Sequence, residues 1–149
     1  MRKLLLSIIA VAALGTGAAF AQSGFWAGVS GGYPGAEAHF GVENVFAGLD
    51  LRGNVGYSYR AGALTVGADV LYGIELDTGA LPLDTYVGGG ATLVLESNLF
   101  ATANLFGGIE YRLGEVGLPE GGVFLEVGPT IRLPFALGVT ARLGFNYHF

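Results

Sequence analysis

From Phe25 onward, apolar and polar residues alternate with a period of two, in segments of about ten residues separated by turn residues. The spacing predicts eight strands: Phe25–Tyr33, Ala36–Glu43, Leu49–Tyr59, Leu64–Tyr72, Thr85–Leu95, Leu99–Leu113, Val123–Leu133 and a last one following Pro134 that runs through "GVTARLGFNYHF". One parity is greasy, as in Leu49, Leu51, Val55 and Tyr57, or Leu64, Val66, Ala68, Val70 and Tyr72. No charge falls on that parity in any of the eight segments. The other parity carries Glu37, His39, Asp50, Arg52, Asn54, Asp69, Glu110, Arg112, Glu126, Arg132 and Arg142, spaced by many glycines. Successive side chains of a strand point to opposite faces, so every strand has one apolar and one polar face. The fold class is all-β.

Two architectures share this period and differ in which face is wet. A soluble sandwich or lipocalin-like barrel turns the apolar face inward. An outer-membrane barrel turns it toward lipid and keeps the polar face in its lumen. Three features favour the second. The chain ends on an aromatic strand. Aromatics collect at strand ends on the apolar parity, with Tyr33, Tyr57, Tyr59 and Phe135 toward one rim and Phe25, Tyr72, Tyr111, Tyr147 and Phe149 toward the other; such belts belong at membrane interfaces. The only lysine is Lys3, whereas a soluble surface is normally rich in that residue. The expectation is a closed antiparallel eight-stranded transmembrane β-barrel.

The N-terminus suits export. A basic start (Met1-Arg2-Lys3), the apolar "LLLSIIAVAAL" and the small-residue pattern ending at Ala21 read as a signal peptide over residues 1–21. Residues 22–149 then form one barrel domain. That segment holds five arginines against twelve carboxylates, a charge of −7. An acidic chain without lysine does not suit nucleic acid, because neutralising phosphates takes a basic patch. With no cysteine, it has neither disulfides nor a thiolate metal site. No later segment approaches the roughly 18 apolar residues of a spanning helix.

In pattern the chain resembles the small eight-stranded outer-membrane β-barrels of the OmpA/OmpX-like class. The resemblance covers the whole of residues 22–149, and its most specific part is "LGFNYHF". In that class, a terminal Phe preceded by alternating hydrophobics is read by the barrel-assembly machinery, which implies that role for Phe145, Tyr147 and Phe149. The last strand would close against the first, leaving no open edge in lipid. The resemblance implies a monomer in the outer membrane with lipid as its surroundings. An even strand count puts both ends in the periplasm, so "PGA", "RAG", "ESN" and the Pro134 turn would face outward. The longer links then face the periplasm, the reverse of the usual arrangement; either the barrel is nearly loopless outside or the count fails around "ENVFAG".

Candidate chemistry concentrates in the lumen. An eight-stranded barrel encloses a space that side chains fill. Glu37, His39, Asp50, Arg52, Asp69, Glu110, Arg112, Glu126, Arg132 and Arg142 are therefore expected to form a paired polar plug, since buried ions need partners. Inward glycines such as Gly56, Gly67, Gly88, Gly90, Gly128 and Gly144 would make room for large side chains, and Trp26 would fill the bore. A narrow pore or hydrophobic-solute transporter is the alternative use of that lumen. A lipid-modifying enzyme is a further alternative: His39 with Glu37 and Glu43 offers acid–base groups. However, no serine adjoins His39, and Ser30 and Ser58 have no distinguishing spacing. Two histidines in unrelated strands give no metal-ligand spacing, and "VGGGATL" lacks the Lys-Ser/Thr and helix of a phosphate loop. No cofactor is expected. The acidic links "GIELDTGALPLDT" and "GEVGLPEGG" are candidate docking sites for a periplasmic partner. The role expected is structural or envelope-maintaining, without catalysis.

Overall fold

The computed structural model describes residues 24–76, 81–96, 99–133 and 136–149. The predicted signal peptide, residues 77–80 of the first acidic link, Ser97 and Asn98 of the "ESN" turn, Pro134 and Phe135 lie outside the described residues. Eight antiparallel strands run in chain order: β1 (Phe25–Tyr33), β2 (Gly35–Phe46), β3 (Leu49–Ser58), β4 (Ala63–Ile74), β5 (Leu83–Leu95), β6 (Phe100–Arg112), β7 (Gly121–Arg132) and β8 (Ala136–His148). Each pairs with its sequence neighbours, and β8 pairs with β1 from Trp26↔His148 to Tyr33↔Ala141, so the sheet is a closed barrel. Closure pairs the two strands that would otherwise be open edges, which an isolated sheet in lipid cannot tolerate.

Register sets the tilt. A walk round the ladder from Phe25 through Val42, Leu51, Val70, Gly89 and Leu105, then across Pro129 and Val139, returns to β1 about ten residues along. With about 3.3 Å per residue and about 4.8 Å between strands, that stagger tilts the strands by about 40°. A 12-residue strand such as β4 then rises about 30 Å, enough to cross an apolar band about 25 Å tall. The β6–β7 ladder skips Leu105 and Phe106, opposite Gly128 and Pro129, because Pro129 has no N–H to give.

The segment "ENVFAG" is where strand prediction and structure differ. β2 continues three residues past Glu43 through a register shift between Val42 and Phe46. Asn44 takes a left-handed φ of 52°, its backbone N–H donates to Asp50 Oδ1, and its Oδ1 accepts from Gly48 N–H. Ala47 and Gly48 follow with φ of 51° and 81°, the double left-handed geometry of a two-residue hairpin. The strand count remains eight. The connections at this rim, called the lower rim, include the two long ones, from Ile74 to Leu83 and from Arg112 to Gly121. The latter contains a short 3-10 turn, Leu113–Val116. Upper-rim connections are short, and Pro34 alone joins β1 to β2.

The two faces separate cleanly. Val29, Leu51, Val55, Leu64, Val66, Leu105, Val127 and Leu143 all point outward and are exposed. The buried side chains are a mixture: Trp26, Leu71, Val94, Phe106 and Phe124 alongside Arg52, Asp69, Glu110, Glu126, Arg142 and Asn146. A soluble domain shows the opposite distribution. Tyr33, Tyr57 and Tyr59 are exposed at the upper rim, and Tyr72, Tyr147 and Phe149 at the lower. No helix among the described residues is long and apolar enough to cross a membrane.

Candidate functional site: the polar lumen

Space for the lumen network comes from glycine placed opposite bulk. In register, Trp26 faces Gly41, Tyr86 faces Gly108, Phe106 faces Gly88 and Phe124 faces Gly144. A Cβ added at any of these four glycines would overlap the opposing ring. Glu110 likewise lies over Gly122. The narrow bore can therefore hold four aromatic rings and still admit charged side chains.

At mid-barrel, Arg52 on β3 reaches across the bore. Its Nη1 and Nη2 donate to Glu126 Oε1 and Oε2 at 2.6 and 3.2 Å, and its Nε donates to Asp69 Oδ2 at 3.0 Å. This is the bidentate fork that makes guanidinium–carboxylate pairs strong. Glu126 is 0% exposed; it also accepts from Tyr86 Oη at 2.8 Å. Arg142 Nη2 lies 2.6 Å from Glu126 Oε2 but is misaligned for a hydrogen bond, so that contact is an ion pair only. Arg142 Nη1 donates to Glu37. Asp69 is further held by the amides of Asn54 (3.1 Å) and Asn104 (3.2 Å). Phe106 sits between the two guanidinium groups, 5.1 Å from Arg52 Cζ and 5.2 Å from Arg142 Cζ, within cation–π range. Two arginines and three carboxylates thus share one connected network linking β2, β3, β4, β7 and β8.

A second cluster lies toward the lower rim. His148 Nε2 is 2.8 Å from Glu110 Oε1, and its Nδ1 is 3.1 Å from Glu43 Oε1. Asn146 donates to Glu110, and its Oδ1 meets His39 Nε2 at 2.8 Å. Arg112 Nε donates to Asp84 at 2.6 Å and approaches Glu110 at 3.5 Å.

The ten predicted lumen residues therefore divide. Glu37, Arg52, Asp69, Glu126 and Arg142 form the central network; His39, Glu110 and Arg112 belong to the lower cluster. Asp50 sits at the β2–β3 turn, holding Asn44 N–H. Arg132 is exposed at the upper mouth, its Cζ 3.6 Å from the centre of the Phe100 ring, and has no carboxylate partner among the described residues. The fifth arginine of residues 22–149, Arg60, lies in the β3–β4 turn and donates to Tyr33 Oη. Glu43, Asn54, Tyr86, Asn104, Asn146 and His148 join these clusters as well, outside the ten expected residues, and parity marks all six as inward. Phe145 is half-buried, while Tyr147 and Phe149 are exposed and meet edge-on at 5.3 Å.

His39 packs between Trp26 and Phe124, with ring centroids 5.3 and 5.5 Å away. Among the described residues no serine hydroxyl hydrogen-bonds to a histidine; Ser58 Oγ accepts from Ala61 N–H. No group of three His, Cys, Asp or Glu side chains among them is disposed to hold a metal ion.

No protein-family model and no curated protein sequence matches the chain. Solved structures do. The N-terminal β-barrel domain of Pseudomonas aeruginosa OprF superposes with a TM-score of 0.59 at 14% identity, covering 85% of this chain and 96% of that one. A major outer membrane protein from Thermus thermophilus gives 0.54 at 16% identity, covering 85% and 99%. Neisserial surface protein A gives 0.50 at 11%, covering 85% and 94%. At such identities the likeness is one of fold. The chain resembles the small outer-membrane barrels and has their architecture, a closed antiparallel β-barrel of eight strands.

Proposed function

We propose that this protein is an integral outer-membrane barrel that serves the envelope structurally, as a monomer whose lumen is sealed by side chains, without catalysis. The observation that carries the reading is the inversion of the two faces: exposed aliphatic residues outside, paired ions within. The outward face suits lipid, because burying it would need a partner sheet that a closed barrel has no room for. The Arg52–Glu126–Arg142 linkage spans the bore at its middle, which argues against a continuous aqueous path. Fold likeness to outer-membrane proteins supports the location.

In this reading the lower rim is periplasmic and the short turns face outward. The outward residues Phe145, Tyr147 and Phe149 of β8 are what the assembly machinery would engage. The two longer links, with Glu75, Glu115 and Glu120, are the surface open to a periplasmic partner. Planar-bilayer recording of the refolded protein tests the sealed lumen. The expected result is no sustained conductance in the native protein; stable single-channel steps would favour a pore. Mass analysis of envelope lipids after overexpression tests the non-catalytic reading, which predicts no new lipid species.

A further inference from the structure

Between β6 and β7 the barrel wall holds a backbone acceptor without a donor. Leu133 N–H donates to Ala101 O at 3.0 Å, so the odd-numbered residues of β6 are the ones whose backbone groups point at β7. The flanking pairs Asn104↔Thr130 and Gly107↔Val127 put Leu105 opposite Pro129, which has no N–H. The Leu105 carbonyl therefore lacks its ladder partner. No side chain among the described residues replaces it: the Thr130 hydroxyl donates to Ala103 O, and the Asn104 amide donates to Asp69. Hydrocarbon offers no water to do so. A polar group left unpaired in such a place needs a partner from outside the chain.

The outer surface is hollowed at the same point. A groove of about 640 Å³ crosses β4 to β7, and Leu105 and Pro129 are among its walls. Two rows of the ladder form it, Val70–Gly89–Leu105 and Tyr72–Val87–Gly107–Val127. Leu105 leans over Gly89, while a Cβ added at Gly107 would meet no atom within 4 Å, so the groove is open above Gly107. No charged residue lines it, and its volume is within the range of small-molecule sites.

We propose that this groove holds a membrane lipid whose acyl chain carries a hydroxyl, the O–H donating to the Leu105 carbonyl. The inference rests on the lipid-facing reading of this wall given above. Any acyl chain can lie over the two glycines, but only one with a donor satisfies the orphan acceptor. A carboxylate or phosphate brings charge into hydrocarbon and offers no donor. Leu105 is five residues from the upper end of β6 at Phe100, about 13 Å along the barrel axis at the tilt given above. The hydroxyl is thus placed part-way along the chain and not at the headgroup.

The full-length protein, labelled with carbon-13 and nitrogen-15 and refolded into phosphatidylcholine nanodiscs, is titrated with methyl 12-hydroxystearate and with methyl 12-methoxystearate, whose ether oxygen cannot donate. Nuclear magnetic resonance reads the Leu105 carbonyl and the Gly107 amide. The expected result is a saturable downfield shift of the Leu105 carbonyl with the hydroxy ester, which should bind about threefold to tenfold more tightly than the methoxy ester. Pro129→Ala gives Leu105 its ladder donor back, so the preference for the hydroxy ester should vanish. Gly107→Leu fills the open part of the groove and should abolish binding of both esters. The heat-induced gel shift verifies that each variant folds. The proposal is overturned if the two esters bind equally, if P129A keeps the preference, or if G107L binds as the native protein does. It is also overturned if the Leu105 and Gly107 signals follow the ratio of protein to disc and not the ester, which would assign the groove to a second copy. Failure to enter the discs would overturn the lipid-facing reading itself, whereas entry without selectivity overturns this inference alone.

Discussion

Arg52 offers the sharpest quantitative test of the lumen network. Replacing it with methionine keeps most of its volume and removes three charge-assisted hydrogen bonds, two to Glu126 and one to Asp69. Breaking a buried pair by deleting one partner costs about 3–5 kcal/mol. Here the remaining carboxylates keep other partners: Glu126 retains Tyr86 and Arg142, and Asp69 retains Asn54 and Asn104. The low end, about 3 kcal/mol, is therefore expected. Glu126→Leu leaves Arg52 with Asp69 alone and orphans Tyr86 Oη, for a loss of about 3–4 kcal/mol. If the two act through each other, R52M/E126L should cost about 3–4 kcal/mol rather than the sum, a coupling of about 2–3 kcal/mol. Urea unfolding from lipid vesicles, followed by Trp26 fluorescence and circular dichroism, measures all three variants. Single-variant losses below about 1 kcal/mol, or additivity within about 0.5 kcal/mol, would refute the reasoning; the pairs would then behave as solvated surface ions.

Further expectations use other parts of the wall. Leu105 is outward and exposed on β6, so Leu105→Arg should destabilise the vesicle-bound barrel by about 2–4 kcal/mol if it faces mid-membrane; the same urea titration reads it, and a change near zero contradicts a lipid-facing wall. Gly41→Val should cost about 1–3 kcal/mol through overlap with Trp26, whereas Gly53→Val, where no atom lies within 4 Å of an added Cβ, should change stability by less than about 0.5 kcal/mol. Deleting residues 114–120 should leave the heat-induced gel shift intact, because the strands it joins are held by other ladders; loss of the shift would make that link part of the folding core.

The alternation made the strands, their two faces and the closed barrel legible in the sequence, because a period of two places every residue on one side or the other without tertiary information. The hairpin at Ala47–Gly48 was not legible: an alanine at positive φ is held there by the Asn44–Asp50 bracket, which joins residues six apart. Parity also identified which polar residues point inward but not how deep each sits. Depth depends on the stagger between strands, so Arg52 and Arg132, alike by parity, end up at the middle of the bore and at its mouth. The pairing of Trp26 with Gly41 and of Phe106 with Gly88 needed the register, which alternation alone does not supply.

The central claim is that the apolar face meets lipid around a closed barrel. Its most direct test is to separate outer-membrane from soluble periplasmic fractions of cells making the protein and run each on a denaturing gel, heated and unheated. The account predicts that the protein is found in the outer-membrane fraction and changes mobility on heating, as a detergent-resistant barrel opens. Protein in the soluble fraction with one mobility would contradict it, since Leu51, Val66 and Leu105 would then have to face water.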